Sequence, residues 1–223
     1  MVFIFDMDGV IVDNHEWHFK AWVEFGKRHG LTITQVEFGR YFGSTNQLVL
    51  NSLFGNDITT EDILRMGNEK EAIYRELYAP YIKVVEGLPE FLHDATERGI
   101  LIALATSAPF ENVKYTLEAT GLENYFRIIT DASMVTLGKP DPQVYRITAE
   151  KLGVQPSECI VFEDSVPGIL SAKNAGMRVI GVATTHTSDE LSPYVAEIIV
   201  NFDPEQKFVR QILNQINPNQ AIQ

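Results

Sequence analysis

The sequence predicts an α/β protein, in which a parallel sheet is flanked by helices and a block of helices is inserted after the first strand. The first observation is that short apolar segments alternate with amphipathic segments of roughly ten residues after position 84, the pattern of repeated βαβ units. The second is that residues 14–83 show apolar residues at helical spacing and no strand pattern. We therefore expect a core domain of residues 1–13 and 84–223 and an inserted helical domain of residues 14–83.

The first predicted strand is the apolar run Val2–Phe5. A short apolar run that ends in a turn signal is typical of a strand buried on both faces. Two carboxylates, Asp6 and Asp8, follow it, and Gly9 allows the chain to turn away. Because open α/β sheets bind ligands at the carboxyl ends of their strands, both carboxylates are candidate site residues. Taken alone, the same residues would also suit a simple turn after a strand.

The inserted block contains four segments with helical periodicity. The longest begins at Thr60 and carries Glu61 and Asp62 in its first turn, which suits the helix dipole. The predicted helices run from His15 to near Gly30, from Gln35 to Tyr41, from Gln47 to Leu53 and from Thr60 to Tyr78.

The remainder of the chain alternates predicted helices with predicted strands. The helices are expected from Leu88 to Arg98, from Asn112 to Gly121, from Pro142 to Leu152 and from Gly168 to Gly176. The strands are expected at Ile100–Ala105, Arg127–Thr130, Cys159–Phe162, Val179–Val182 and Ile198–Val200. The tail from Asn214 is expected to fray.

Composition argues against several classes of function. The chain has 223 residues and a net charge of −12, which would repel nucleic acid and anionic membrane surfaces. No apolar run approaches membrane-spanning length, and no basic and apolar leader precedes Val2. The one cysteine, Cys159, excludes an internal disulfide and favours a reducing compartment. We expect a cytoplasmic protein, monomeric, that binds neither nucleic acid nor membrane.

Polar residues follow three of the predicted strands, and one lysine precedes a helix. These residues are Asp6 and Asp8, Thr106 and Ser107, Glu163 and Asp164, and Lys139 in the loop before Pro142. If the strands are parallel and adjacent, these groups meet at one edge of the sheet. Clustered carboxylates cannot all stay ionised without a cation, and oxygen ligands without a His or Cys cluster favour Mg²⁺. With a hydroxyl and a lysine added, the site suits a phosphoryl group.

Four short motifs resemble those of the haloacid dehalogenase superfamily, in that superfamily's order and spacing. They are Asp6-Met7-Asp8-Gly9, Thr106-Ser107, Lys139-Pro140 and Glu163-Asp164-Ser165. Within the superfamily, the chain is most similar to the β-phosphoglucomutase-like branch, which includes sugar-phosphate phosphatases. The resemblance implies a Rossmann-like parallel sheet flanked by helices, with the helical block as an inserted α-helical bundle cap.

The resemblance also implies a role for each motif residue. Asp6 resembles the nucleophile that forms an aspartyl-phosphate, and Asp8 resembles the general acid and base. Thr106 and Ser107 would bind the phosphoryl oxygens, and Lys139 would neutralise negative charge. The Mg²⁺ ligands would be Asp6, the backbone carbonyl of Asp8, Asp164, and Glu163 either directly or through water.

The cap would contribute residues that contact the substrate. Trp17 is a candidate for the pocket wall, although an aromatic residue at helical spacing is more often part of a core. His18 matches a histidine that, in the mutase-like branch, hydrogen-bonds the acid/base aspartate in the closed state. Asn14, Asn46 and Lys70 are the other candidates, with Lys70 as a partial replacement for missing cations.

The sequence departs from the mutase where that enzyme holds a second phosphate. The mutase has basic residues in a cap loop at which this chain has Phe42 and Asn46. After the second motif the mutase has a serine-lysine-asparagine run, whereas this chain has Ala108-Pro109-Phe110. The loss of two cations would weaken binding of a dianion. We therefore predict a phosphatase that acts on a small phosphorylated metabolite such as a sugar phosphate, with a phosphosugar mutase as the alternative.

Two other classes of function fit less well. A non-catalytic protein that binds phosphorylated ligands would not need the pair of a nucleophile and an acid, Asp6 and Asp8. A dehalogenase of the same superfamily needs neither Mg²⁺ nor the second aspartate of the first motif, so the presence of Asp8 argues against that activity. We therefore expect Mg²⁺ as the cofactor and a small phosphate ester as the substrate.

Overall fold

The computed structural model describes residues 1–41, 43–55 and 57–214. The chain divides into two compact units. The sheet unit comprises Met1–Asp13 and the chain from Lys83 onward, and the helical unit comprises Asn14–Ile82. Phe42 of the predicted cap loop and the predicted frayed tail beyond Asn214 lie outside the described residues.

The sheet unit contains a six-stranded sheet whose strands are all parallel, which confirms the predicted fold class. The strands are β1 (Val2–Phe5), β2 (Leu101–Ala105), β3 (Ile128–Thr130), β4 (Cys159–Glu163), β5 (Arg178–Val182) and β6 (Ile198–Ile199). Their order is β3-β2-β1-β4-β5-β6, so β1 lies at the centre between β2 and β4. In such a sheet, ligands bind at the point where the strand order reverses direction. The carboxyl end of β1 is therefore the expected place for a site.

Ten α-helices accompany the strands in the described residues, the first four in the helical unit and the others in the sheet unit. They are α1 (His15–Arg28), α2 (Gln35–Gly39), α3 (Asn46–Phe54), α4 (Thr60–Tyr78), α5 (Leu88–Glu97), α6 (Phe110–Thr120), α7 (Gln143–Leu152), α8 (Val166–Asn174), α9 (Ser188–Leu191) and α10 (Lys207–Asn214). Threonine caps set the start of α3 and α4, since Thr45 and Thr59 accept N–H groups of the first turn. None of these helices combines the length and the apolar character needed to cross a membrane.

Both faces of the central strands are buried. On one face, Phe3 and Phe5 of β1 and Phe162 of β4 pack with Phe91 of α5 and Phe202. The rings of Phe5 and Phe162 stack with their centroids 4.6 Å apart. On the other face, α7 and α8 cover the sheet with apolar side chains. Close packing on both faces leaves the residues after β1 and β4 little freedom to move.

Several boundaries differ from the sequence predictions. α8 begins at Val166, two residues before the predicted start, because the Ser165 side chain caps it and Pro167 is tolerated in a first turn. The sequence patterns do not predict α9 or α10. α9 has only four residues, too few for a periodic signal, and a capping box between Thr187 and Glu190 defines it.

Candidate active site

The candidate site lies at the carboxyl ends of β1, β2 and β4. Phe5, the last residue of β1, is paired with Leu104 of β2 and with Phe162 of β4. Asp6 continues this register, and its N–H donates to the carbonyl of Phe162 at 3.0 Å. The residues that follow these three strands therefore emerge along one edge of the sheet.

A tight turn after Asp6 holds the first motif. The carbonyl of Met7 accepts backbone N–H groups from residues 10–12 at 2.8 to 3.3 Å. Gly9 has a φ of +77°, a conformation that glycine adopts without strain. Within this turn Asp6 is buried and Asp8 is half-buried. The first motif therefore presents one carboxylate inside the site and a second one nearer to solvent.

The ammonium group of Lys139 links two carboxylates. Its Nζ donates to Oδ1 of Asp6 at 2.8 Å and to Oε1 of Glu163 at 2.5 Å. All three side chains are buried. Burial acts to lower the pKa of Lys139, but the two carboxylates overcome this effect and raise the pKa above its ordinary value. Lys139 therefore provides a permanent positive charge inside the site.

Glu163 receives hydrogen bonds on both of its carboxylate oxygens. Oε1 accepts from Lys139 and from the hydroxyl of Tyr145 at 2.8 Å. Oε2 accepts from the N–H and the hydroxyl of Ser165 at 3.1 and 3.0 Å. A methyl group at Gly168 would lie 1.7 Å from Oε1, so only glycine fits beside this carboxylate. Because a carboxylate has about four lone-pair sites, these donors leave it little capacity for direct contact with a cation.

Asp164 has a different environment, although it is the next residue in the chain. It is 1% exposed, and within the described parts of the chain neither of its carboxylate oxygens has a well-aligned hydrogen-bond partner. Burial raises the pKa of Asp164 well above its ordinary value, and the negative charges of Glu163 and Asp6 raise it further. A buried carboxylate of this kind is costly unless it is protonated or bound to a cation.

The carboxylates of Asp6, Glu163 and Asp164 could hold a divalent cation. Each offers one oxygen, and these oxygens lie within 4.8 Å of one another. A set of oxygen ligands suits a hard cation such as Mg²⁺ better than Zn²⁺. Of the three, Glu163 has the least capacity left for a cation, because four donors already contact its carboxylate.

The stability of the metal-free protein should depend on the protonation of Asp6. Burial raises the pKa of Asp6 from 3.8 to about 7, while Lys139 acts to lower it. A carboxyl group whose pKa is higher in the folded protein stabilises the fold below its unfolded pKa, and this stabilisation is lost as the pH rises through the folded pKa. In a chelator, we expect the Tm to fall between about pH 4 and about pH 7, and to fall less in Asp6→Asn. Equal slopes in the two proteins would contradict this assignment.

Thr106 follows β2 with its hydroxyl proton available to a ligand. Its N–H donates to the carbonyl of Thr130 at 2.9 Å, and its Oγ1 accepts the N–H of Ala108 at 3.0 Å. Toward the described residues the hydroxyl thus acts as an acceptor, and its O–H can donate to a ligand. Ser107 is half-buried and comes next in the chain. Donors of this kind suit phosphoryl oxygens.

The predicted cap residues lie in the helical unit, where three of them join one hydrogen-bond network. Lys70 donates to Nδ1 of His18 at 2.8 Å and to Oε1 of Glu71 at 2.9 Å. Asn46 donates to the same oxygen of Glu71 at 2.9 Å. The positive charge of Lys70 is therefore matched by Glu71 inside this unit.

The other two predicted cap residues also have contacts inside the helical unit. The side-chain amide of Asn14 donates to the hydroxyl of Tyr74 at 2.6 Å. Trp17 stacks on Tyr81 with the ring centroids 4.3 Å apart. These contacts explain why both residues suit the packing of this unit, and a role in substrate binding stays a prediction.

Two residues that contact Glu163 and Asp164 are not predicted from the sequence. Tyr145 of α7 occupies the apolar face of an amphipathic helix, where a tyrosine is normally interpreted as core. His186, in the loop after β5, has no pattern around it, yet its Nδ1 donates to the backbone carbonyl of Asp164 at 3.0 Å. No local signal distinguishes either residue.

Comparison with known proteins agrees with the motifs. A model of the haloacid dehalogenase-like hydrolase family matches residues 3–182, which confirms the resemblance inferred from sequence. The chain is 33% identical over 184 residues to a Thermotoga maritima protein named phosphorylated carbohydrates phosphatase, with 80% of this chain and 83% of that protein covered. It is 30% identical over 186 residues to the β-phosphoglucomutase of Bacillus subtilis, with 80% and 81% covered.

A solved structure extends the similarity to nearly the whole chain. It is that of a haloacid dehalogenase hydrolase, family IA, variant 3, from Entamoeba histolytica. The TM-score is 0.85 and the sequence identity 31%, with 96% of this chain and 98% of that chain covered. The similarity therefore extends over both the sheet unit and the helical unit.

Proposed function

The chain belongs to the haloacid dehalogenase-like hydrolase family of enzymes, and we propose that it is a Mg²⁺-dependent phosphatase of a small phosphorylated carbohydrate. The observation that carries the proposal is the buried contact between Asp6 and Lys139, beside the buried carboxylate of Asp164, to which no described residue makes a well-aligned hydrogen bond. A nucleophilic carboxylate, a fixed cation and a ligand for a second cation are the groups that phosphoryl transfer requires. The name of the Thermotoga maritima relative supports the class of substrate.

In the first step, the carboxylate of Asp6 attacks the phosphorus atom. A bond forms between a carboxylate oxygen and phosphorus as the ester bond to the leaving oxygen breaks, which produces an aspartyl-phosphate. Asp8 gives its proton to the leaving oxygen. Lys139 holds Asp6 in place, and the hydroxyl of Thr106 donates to a phosphoryl oxygen.

In the second step, water attacks the aspartyl-phosphate. Asp8, now ionised, accepts a proton from that water, and inorganic phosphate leaves as Asp6 is regenerated. The same carboxyl group acts first as an acid and then as a base, because the alcohol takes up a proton and the water gives one up. One ester and one water therefore become one alcohol and one phosphate.

Mg²⁺ is the cofactor that fits this set of oxygen ligands. Asp6, Asp164 and the backbone carbonyl of Asp8 would hold it, with Glu163 behind them or linked to it through water. When bound, it supplies the positive charge that allows a phosphate dianion to approach a carboxylate. The closeness of the carboxylate oxygens of Asp6, Glu163 and Asp164, within 4.8 Å of one another, supports this assignment.

A phosphatase is favoured over a mutase by the shortage of cations for a second phosphate. The segment Ala108–Phe110, after the second motif, has no basic residue. Lys70 is the candidate cation of the helical unit, and Glu71 already pairs with it at 2.9 Å. The similarity to a β-phosphoglucomutase nevertheless makes a phosphosugar mutase the second candidate.

The test is a screen for phosphate release from sugar phosphates, polyol phosphates and nucleotides, in MgCl₂ and in EDTA. We expect release from at least one phosphorylated carbohydrate in MgCl₂, and release slower by about a hundredfold or more in EDTA, because the carboxylates repel a dianion. Equal rates in EDTA would contradict the role of Mg²⁺. Release from nucleotides alone would contradict the class of substrate.

The mutase is tested with a sugar 1-phosphate and a sugar bisphosphate as primer. Conversion to the 6-phosphate without net release of phosphate would favour the mutase over the phosphatase. Binding of phosphate esters with neither reaction would indicate a non-catalytic binding protein.

A further inference from the structure

We infer that the segment Thr184–His186, which follows β5, is a positioning element that orients the carboxylate of Asp164 toward its cation. The inference rests on the proposed function, because it concerns the same metal site. It adds residues that belong to none of the four motifs.

The segment is joined to both of the strand ends that form the site. The hydroxyl of Thr184 donates to the carbonyl of Gly9, in the first motif. Nδ1 of His186 donates to the backbone carbonyl of Asp164 at 3.0 Å. These two hydrogen bonds connect the turn after β1 to the end of β4 through a single short loop.

Between these contacts, Thr185 lies beside the side chain of Asp164. A methyl group on Gly9 would be 2.0 Å from Oδ2 of Asp164 and 2.9 Å from Oγ1 of Thr185, so both oxygens face the same small space. Oγ1 of Thr185 is buried, and no described residue forms a well-aligned hydrogen bond with it. Burial raises the pKa of Asp164, and the Thr185 hydroxyl acts against that rise. The hydroxyl can therefore donate to one side of the carboxylate and leave the other side for a cation.

The loop is itself anchored on both sides. Before it, the N–H of Ala183 donates to the carbonyl of Ile199 at 2.8 Å. After it, Thr187 and Glu190 form the capping box that starts α9. A loop held in this way can fix the orientation of a ligand before the cation arrives, and outer contacts of this kind change metal affinity by roughly 10- to 100-fold.

The test compares variants of matched shape by their affinity for Mg²⁺ in the absence of substrate. The dissociation constant is obtained from the rise of Tm in MgCl₂. We expect it to increase about tenfold in Thr185→Val, which lacks the hydroxyl, and to stay within about twofold of wild type in Thr185→Ser, which keeps it. His186→Leu should also weaken binding, and His186→Asn, whose amide can donate, should weaken it less.

Two further measurements separate positioning from folding. The Tm in EDTA reports the stability of each variant without the cation. Phosphate release by Thr185→Val should return toward the wild-type rate as MgCl₂ is raised, because only the affinity for the cation has changed. If Thr185→Val does not fold in EDTA, His186→Leu provides the test, and the reverse also holds, because Thr185 and His186 make separate contacts.

Wild-type affinity for Mg²⁺ in both Thr185→Val and His186→Leu would overturn the inference and leave the proposed function intact. Equal losses in Thr185→Val and Thr185→Ser would also overturn it. If the wild-type protein shows no affinity for Mg²⁺, the proposed function fails as well.

Discussion

Asp6→Asn should lower the rate of phosphate release by about a hundredfold or more. The asparagine side chain has nearly the same shape, but its amide oxygen is a poor nucleophile and cannot form an aspartyl-phosphate. The substitution also removes the negative charge that Lys139 contacts at 2.8 Å. The measurement is kcat in MgCl₂ with the best substrate from the phosphate-release screen.

Two further variants make this result specific. Asp8→Asn keeps the nucleophile and removes the acid and base, and we expect a loss of similar size. Asp94→Asn changes an exposed aspartate of α5 and should leave the rate unchanged. If Asp6→Asn turned over at a rate close to that of the wild type, the covalent mechanism would have to be abandoned.

Lys139→Met should reduce both stability and activity. The substitution leaves the carboxylates of Asp6 and Glu163 buried without the ammonium group that both contact. Removing one partner of a buried ion pair costs about 3–5 kcal/mol of the free energy of unfolding. The loss should shrink as the pH is lowered below about 7, because Asp6, whose pKa burial raises to about 7, then takes up a proton. Denaturant unfolding in EDTA at two pH values measures this effect, and phosphate release should fall by about a hundredfold.

Lys114→Met is the matched control for Lys139→Met. The side chain of Lys114 is 60% exposed, and its nearest carboxylate oxygen on Glu118 is 3.8 Å away. Surface ion pairs of this kind contribute little, so stability and rate should stay close to those of the wild type. If Lys114→Met lowered stability and phosphate release as much as Lys139→Met, the losses could not be assigned to the contacts of Lys139 with Asp6 and Glu163.

Much of the fold could be predicted because its signals are local. The run Val2–Phe5 is apolar throughout, as expected for a strand buried on both faces, and the structure has β1 over the same residues. α4 was equally clear, since nineteen residues of periodic pattern follow a threonine cap and run from Thr60 to Tyr78. The fold class, with its parallel sheet, followed from the alternation of such segments.

Other elements could not be predicted, because their signals are too short or come from other parts of the chain. α9 has four residues and rests on one capping box. α10 ends at Asn214, where the sequence pattern indicated only the start of a tail.

The residues of the candidate site also divide into those that a local pattern predicts and those that only a contact between distant parts of the chain reveals. The motif residues Asp6, Thr106, Lys139 and Asp164 are recognisable because each follows a strand or precedes a helix in a short pattern. The family resemblance implies Asp164 as a direct Mg²⁺ ligand, but for Glu163 it leaves open whether the contact is direct or through water. Tyr145 donates to Glu163 from eighteen positions away, and no pattern in the sequence indicates that contact.

The class of fold and the candidate polar residues after the strands could be predicted from the amino-acid sequence, because periodicity and short motifs depend on neighbours in the chain. The folded chain was needed to show that four donors contact the carboxylate of Glu163, and that Thr184 and His186 contact Gly9 and Asp164. The hydrogen bond from Thr184 to Gly9 joins residues 175 positions apart. Contacts of this kind arise when a parallel sheet brings distant strand ends together, and no local pattern records them.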